Sequence, residues 1–299
     1  QNGTVSGRYG SDLQQLPKPL EEGQEEALLT GYTNVVRAFF ICDEGTKLLD
    51  TDYASLEPRV FATVAGDQGL KEIFNNDLDF YSHIAVSAHT QAPNFLKKVD
   101  PVKRQTAKGY ALGVPYGMSG YALAMSLKID KKEGERLVEG YLNGFPQLRE
   151  WRENSRKFVK EHGYIKNKVG RIRHLPKAKE IYEAFGDKIL DDWKFRKGIE
   201  ASYGVEAVTT LYRDYKNALN NVLNYQIQSY AASIVNRAAL QINRKFRKEN
   251  IVGQVIAQIH DQLICQVKIE DVKRACEIVQ DCMENTTKLD GVELIAIPE

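Results

Sequence analysis

Two aspartates stand in sequence contexts that suit metal-binding carboxylates. Asp52 ends an apolar run, Lys47–Asp52, that predicts a β-strand, and Asp261 lies between two alternating runs that predict a hairpin. If these strands are neighbours, the two carboxylates converge, and hard oxygen ligands on rigid strands are what a pair of Mg²⁺ ions requires. Ordinary turn and cap aspartates are the alternative, since Asp is frequent at both kinds of position.

A pair of cations has the spacing of a polyphosphate-binding helix. Arg104 and Lys108 are four residues apart in a predicted helix, so their side chains share one face, with Leu112 next along it. An arginine fork beside a lysine point charge can bind a polyphosphate, although a solvated basic face has the same pattern. Tyr116-Gly117 is expected at the end of this helix, where Tyr116 suits either stacking on a base or ribose or packing in the core.

The element that would position Asp52 is a strand followed at once by a helix. Ser55 is a suitable N-cap residue, Pro58 falls in the first turn, and Gly66 is a suitable helix stop. Asp52 is therefore expected at the carboxyl end of a strand, just before a helix.

The remaining chain is predicted to be mainly helical. Residues 1–34 form a loop-rich lead-in, and helical patterns cover 68–128, 131–162, 181–250 and 271–287. The fold class is therefore α+β, with a small antiparallel sheet on which helices pack and a mainly helical second subdomain.

Composition excludes several classes of protein. The 299 residues carry a formal net charge of +1, which excludes a uniformly basic nucleic-acid coat. No apolar run approaches 18 residues, so neither a transmembrane helix nor a membrane partner is predicted. The four cysteines have no C-x-x-C spacing, which disfavours a thiolate zinc site and fits a reducing compartment.

One segment has a strong local charge bias. Residues 149–179 contain eleven Lys or Arg against three Glu. A solvated helical surface and a track for a phosphate backbone both explain this one-sided bias.

Four stretches, taken in their order along the chain, resemble the family A DNA polymerases of the bacterial polymerase I type, which have many phage members. The resemblance covers about Thr4 to Val267. The stretches are Thr4–Pro17 as the lead-in, Asp52–Val60 as motif A, Arg104–Ser119 as motif B, and Asn224–Gln228 with Ile259–Leu263 as the last palm segment and motif C.

This resemblance implies template-directed DNA synthesis by two-metal nucleotidyl transfer. Asp52 and Asp261, with the backbone carbonyl of Tyr53, would hold two Mg²⁺ ions, for which Mn²⁺ would substitute. The primer 3′-hydroxyl would attack a dNTP and release pyrophosphate, and Lys108 would protonate the leaving group.

The resemblance also implies contacts to the nucleotide and to the DNA. Arg104 and Lys108 would bind the triphosphate, Leu112 and Tyr116 would contact the nucleotide, and Glu57 would exclude a ribose 2′-hydroxyl. A further set of residues would contact the minor groove and the primer terminus of primer–template DNA, namely Arg8, Asn224, Gln228 and His260. The subdomains implied are palm 1–67, fingers 68–180 and palm 181–299.

Several positions depart from the family pattern. Leu112 replaces an aromatic residue, Gln262 replaces a glutamate, and Asn220 stands where an arginine is common. Tyr81 stands where a histidine often follows Asp, and the link 177–223 is longer than usual. Two aspartates are still able to hold two ions, so activity is expected to survive.

The resemblance begins at the first residues of this sequence, so no thumb or exonuclease domain is expected in it. We expect another polypeptide or a removed segment to supply them, in the cytoplasm of a bacterial or phage-infected cell. A fragment that binds nucleic acid without catalysis until it meets this partner is the main alternative.

Two other enzyme classes fit less well. A single-subunit RNA polymerase would not carry the bulky Glu57 beside the ribose. A two-metal nuclease would not need a helix bearing Arg104, Lys108 and Tyr116.

Overall fold

The computed structural model describes residues 2–10, 41–89 and 101–298, and the chain divides into two compact units. The first comprises Gln1–Leu56, Ala231–Lys288 and Leu294–Glu299, and the second comprises Glu57–Tyr230 and Leu289–Glu293. The subdomain limits predicted at 67/68 and 180/181 describe palm and fingers and stay a prediction. Most of the predicted loop-rich lead-in, including residues 11–17 of the first family motif, lies outside the described residues.

The strands and helices follow one another along the described residues with few long connections. The strands are β1 (Asn2–Gly3), β2 (Tyr9–Gly10), β3 (Thr46–Tyr53), β4 (Tyr164–Lys166), β5 (Ile172–His174), β6 (Gly253–Ile259), β7 (Gln262–Lys268) and β8 (Ala296–Pro298). The α-helices are α1 (Leu56–Ala65), α2 (Gln68–Asn75), α3 (Phe80–His89), α4 (Pro101–Ala111), α5 (Gly120–Leu127), α6 (Lys131–Gly144), α7 (Pro146–His162), α8 (Pro176–Phe185), α9 (Lys188–Asp191), α10 (Trp193–Tyr203), α11 (Val205–Lys248) and α12 (Val272–Asn285). None of these helices is both long and apolar enough to cross a bilayer.

The first unit is built on a four-stranded antiparallel sheet in the order β6-β7-β3-β8. Alternate side chains of β3 and β7 are buried, among them Leu49, Tyr53, Leu263 and Val267, because successive residues of a strand point to opposite faces. Helix α12 packs against β3 and β7 through its own buried apolar side chains, such as Val279. This sheet and its helices confirm the predicted α+β class.

The strand and helix around motif A form as the sequence predicts, with one local difference. Strand β3 runs one residue further at each end than predicted, and Gly66, at φ +69°, follows the last residue of α1 as the expected stop. Ser55 has φ +56°, which is left-handed backbone. Because an N-cap residue has extended backbone, the prediction that Ser55 caps α1 in the usual way is wrong.

The second unit is mainly helical, as predicted, but it contains a β-hairpin that the sequence pattern does not predict. Strands β4 and β5 pair antiparallel within the basic segment, with Tyr164 opposite His174. Three-residue strands are too short to show an alternating pattern. The long link 177–223 packs onto α7 and β4 through a shared core that includes Val159, Ile181 and Tyr215.

Candidate active site

The structure brings Asp52 and Asp261 to the same end of the first unit's sheet. Thr51 of β3 pairs with Leu263 of β7, so Asp52 comes beside Gln262, the residue that follows Asp261. On its other side Asp52 pairs with Ile297 of β8. The side chain of Asp52 is exposed. The two predicted strands are therefore neighbours, which is the condition under which the two carboxylates are expected to converge.

A strained two-residue loop carries Asp261. Ile259 and Gln262 pair directly, so His260 and Asp261 alone connect β6 to β7, and His260 has φ +57°. Tight hairpin loops need positive φ, which costs a non-glycine residue about 1 kcal/mol or more. Burial raises the pKa of Asp261, while the charges of Arg8 and His260 oppose that rise. Arg8 and His260 are therefore near enough to Asp261 for their charges to act on it.

The side chain of Tyr53 is structural. Its hydroxyl donates a hydrogen bond of 2.7 Å to the carbonyl of Met283, and burial raises the pKa of this phenol far above its usual value. Only the backbone carbonyl of Tyr53 therefore fits the metal-ligand role predicted for this residue.

The donor set near Asp52 suits a metal bound together with a substrate. In the part of the chain that the structure describes, no three His, Cys, Asp or Glu side chains are grouped to hold a metal ion. Mg²⁺ commonly takes one or two protein carboxylates and completes its shell with phosphate oxygens and water. Asp52 and Asp261 fit that arrangement, in which the substrate supplies the remaining ligands.

In the second unit, Arg104 and Lys108 occupy helix α4 as predicted, and both lie over the ring of Tyr81. The Arg104 guanidinium donates two hydrogen bonds of 2.7 Å to the Asp79 carboxylate. These bonds lower the pKa of Asp79 to about 2. The sequence analysis did not select Asp79. The signal that could have found it is its position two residues before Tyr81, the residue that stands where a histidine often follows Asp in the family pattern.

Helix α4 ends earlier than predicted. It stops at Ala111, so Leu112 and Tyr116 lie in the turns that follow and not on the helix. Backbone hydrogen bonds from Val114 to Tyr110 and from Gly117 to Val114 build these turns. The Tyr116 hydroxyl donates a hydrogen bond to the Glu57 carboxylate, which brings two of the predicted nucleotide residues together.

Gly117 is enclosed by two polar side chains. Arg156 Nη2 donates to Asn220 Oδ1 at 3.1 Å, and a Cβ on Gly117 would lie 2.5 Å from that oxygen and 3.0 Å from that nitrogen. Gly117 also has φ +98°. Arg156 thus places a guanidinium beside Asn220, at the position where the family resemblance implies an arginine. Sequence reasoning did not select it.

Asn224 and Gln228 are one turn apart on helix α11 and are half-buried. Asn224 Oδ1 is buried and accepts no hydrogen bond from the described residues. An unpaired buried acceptor costs about 1–3 kcal/mol, so this oxygen is a site that a ligand or a water molecule with a donor group would satisfy.

The basic segment 149–179 is less available to a ligand than its composition suggests. Lys160, Lys177 and Lys179 form ion pairs with acidic residues of the same unit, and Arg149 pairs with Glu139. Arg152 is buried. The exposed cations concentrate on the β4–β5 hairpin, at Lys166, Lys168 and Arg171.

Comparison with known proteins shows which family this chain is similar to. The model of the family described as DNA polymerase family A matches residues 1–296. DNA polymerase I of Bacillus caldotenax is 29% identical over 290 residues, which are 96% of this chain and 28% of that protein. The thermostable DNA polymerase I of Thermus aquaticus is 27% identical over 305 residues, which are 100% of this chain and 30% of that protein. This chain therefore spans under a third of the length of either relative.

A solved structure shares the fold. The POL domain of Pol1 from M. smegmatis, in complex with DNA primer-template and dNTP, superposes with a TM-score of 0.78 at 24% identity. The superposition covers 99% of this chain and 45% of that chain. Since the family model matches nearly every residue and the fold agrees with it, this chain belongs to DNA polymerase family A.

Proposed function

We propose that this chain carries the catalytic region of a template-directed DNA polymerase, which joins a dNTP to a primer 3′-hydroxyl and releases pyrophosphate. The observation that carries the proposal is the meeting of β3 and β7, which brings Asp52 and Asp261 to one end of a sheet within a family A chain.

Asp52 and Asp261, with the Tyr53 carbonyl, would hold two Mg²⁺ ions, or Mn²⁺ in their place. When bound, such ions lower the pKa of the attacking hydroxyl and stabilise the charge of the leaving pyrophosphate. The protein contributes the rigid placement of both carboxylates, one at the end of a strand and the other on a two-residue loop.

The nucleotide contacts would come from the second unit. Arg104 would exchange its two bonds to Asp79 for bonds to the triphosphate, and Lys108, which is exposed on the same helix, would protonate the leaving group. Leu112 and Tyr116 would contact the nucleotide. Glu57, held by the Tyr116 hydroxyl, would exclude ribonucleotides by occupying the space of a 2′-hydroxyl.

Primer–template DNA would be the macromolecular partner. Arg8 and His260 would contact it near Asp261, and Asn224 and Gln228 would read groove edges. The exposed cations of the β4–β5 hairpin would add salt-sensitive contacts to phosphates. The palm and fingers assignment, the phage origin and a partner polypeptide stay predictions.

Primer extension tests the proposal directly. The chain is mixed with a labelled primer–template, Mg²⁺ and either dNTPs or rNTPs, beside the isosteric variants Asp52→Asn and Asp261→Asn. We expect the parent to extend the primer with dNTPs. In both variants the extension rate should fall at least about a thousandfold, since each carboxylate would hold a metal ion that stabilises charge in the transition state.

DNA binding, measured in the same samples, separates the alternatives. Variants that bind DNA as the parent does but fail to extend it support a catalytic role for the aspartates. Binding without extension by the parent would favour the non-catalytic fragment. Equal extension by the parent and either variant would refute the two-aspartate mechanism.

A further inference from the structure

Asp50 and Gln262 form a hydrogen-bonded pair on the face of the sheet that also carries Asp52. Asp50 lies two residues before Asp52 in β3, so the two side chains share a face. Gln262 Nε2 donates to Asp50 Oδ2 at 2.6 Å. Asp50 pairs with Ile264 in the ladder, which makes Gln262 its diagonal neighbour on the same face.

We infer that Asp50 is a positioning residue of the metal site and supplies, from strand β3, the acidic charge that the family resemblance implies at position 262. The inference rests on the proposed function, because it concerns the same site. In a chain with a glutamate at 262 that carboxylate would lie on β7, whereas here the carboxylate of the pair lies on β3 and the amide on β7. A chain with acids at both positions would hold two carboxylates at hydrogen-bond distance, where like charges repel.

The pair acts on Asp261 through the chain. Gln262 is the first residue of β7 and directly follows Asp261, so a side chain fixed to β3 also fixes one end of the loop that carries Asp261. The other residue of that loop, His260, has strained backbone with φ +57°. A loop of this kind keeps its shape only when the surrounding contacts hold it.

The charge of Asp50 is the second contribution. It lies on the same strand face as Asp52, where it adds negative potential for a divalent cation. No third carboxylate is grouped for direct ligation among the residues that the structure describes, so Asp50 acts through Gln262 and through its charge. Residues that support metal ligands in this way commonly change metal affinity by 10- to 100-fold.

The test measures metal binding without turnover. Mn²⁺ is titrated into the full chain with primer–template DNA and a non-hydrolysable dNTP analogue, and free Mn²⁺ is read by electron paramagnetic resonance. We expect Asp50→Asn to weaken Mn²⁺ binding about tenfold. The double variant Asp50→Asn with Gln262→Glu restores one charge and reverses the hydrogen bond, so its affinity should return to within about threefold of the parent.

Asp43 offers a matched control. Gln266 of β7 donates to Asp43 Oδ2 at 2.6 Å, which is the same kind of bond toward the other end of β7. Asp43→Asn should leave Mn²⁺ binding unchanged. Urea unfolding of every variant shows whether a change in Mn²⁺ affinity comes from misfolding. If Asp50→Asn is misfolded, the decisive comparison is between the parent and the double variant, which keeps one acid and one amide.

The outcomes separate this inference from the proposed function. Parent-like Mn²⁺ binding by Asp50→Asn, or a double variant as weak as Asp50→Asn, would overturn the role of Asp50 alone. Parent-like Mn²⁺ binding by Asp52→Asn and Asp261→Asn would overturn the metal site itself.

Discussion

The hydroxyl of Tyr116 donates a hydrogen bond to the carboxylate of Glu57, which joins the turns after helix α4 to the first turn of helix α1. Tyr116→Phe removes only this hydroxyl. A hydrogen bond to a charged group contributes about 1.5–3 kcal/mol, so we expect the preference for dNTP over rNTP to fall about tenfold or more. Single-nucleotide kcat/KM values for both sugars measure this. Glu57→Ala should lower the preference further, and an unchanged ratio in Tyr116→Phe would mean that the bond does not set sugar choice.

Gly117→Ala should disturb both stability and nucleotide binding. The new Cβ would meet Asn220 Oδ1 at 2.5 Å and Arg156 Nη2 at 3.0 Å, on backbone with φ +98°. We expect a loss of about 1–3 kcal/mol in the free energy of unfolding and a higher KM for dNTP, because Tyr116 is the adjacent residue. Gly198→Ala, a helical site with nothing within 4 Å of the new Cβ, should instead stabilise the chain by about 0.5–1 kcal/mol. Similar behaviour of the two variants would contradict the role given to this turn.

Arg152→Met should stabilise the protein. Arg152 is 7% exposed, its Nε has no hydrogen-bond partner among the described residues, and burial beside Arg156 and Arg149 lowers its pKa to about 10. The charged form is therefore disfavoured in the fold, by about 3 kcal/mol at pH 7. This penalty is present below pH 10 and is relieved as pH rises above it, so the advantage of the variant should shrink there. Urea unfolding at pH 7 and above pH 10 measures both effects. A less stable variant at pH 7 would disprove the penalty.

Arg104→Lys should weaken dNTP binding more than it weakens the fold. A lysine cannot form the paired bonds that Arg104 makes with Asp79, and we expect the same deficit toward a triphosphate. The KM for dNTP should rise about tenfold, while the free energy of unfolding should change by less than about 1 kcal/mol because the ion pair is partly exposed. Arg136→Lys, which alters a similar pair with Glu133, is the matched control and should leave KM unchanged. An equal rise in both variants would point to a general effect.

The β4–β5 hairpin should contribute to DNA affinity through its exposed lysines. Lys166→Ala with Lys168→Ala should lower the slope of log affinity against log salt by about one per lysine, because each phosphate contact releases counterions. Lys177→Ala is the comparison, since Lys177 already pairs with Asp214 at 2.5 Å. Fluorescence anisotropy of labelled primer–template over a range of salt gives these slopes. A slope unchanged by the double substitution would exclude the hairpin from the DNA contact.

Local sequence determined most of the elements that carry the candidate site. The run Lys47–Asp52 predicts strand β3, the alternation on either side of His260 predicts the β6–β7 hairpin, and the spacing of Arg104 and Lys108 places both on helix α4. Each of these signals depends on a side-chain period or a turn of a few residues, which a single sequence displays directly.

The local sequence pattern did not predict features that are short or that depend on neighbouring elements. Strands β4 and β8 have three residues each, too few for a period. The end of helix α4 at Ala111 is set by the turns that follow, and the left-handed backbone of Ser55 breaks a cap pattern that its sequence fits.

Tertiary structure alone decided which charged and polar groups meet. Asp50 accepts a hydrogen bond from Gln262 because β3 pairs with β7 in one register. Arg156 donates a hydrogen bond to Asn220 because α7 packs near α11. Partners this far apart along the chain leave no local periodic signal, since register and helix packing are fixed by the buried faces and not by the polar residues opposite them. The sequence by itself therefore determined the strands and helices and the candidate site residues that they carry. The packing of those elements decided which other side chains contact and position the site residues.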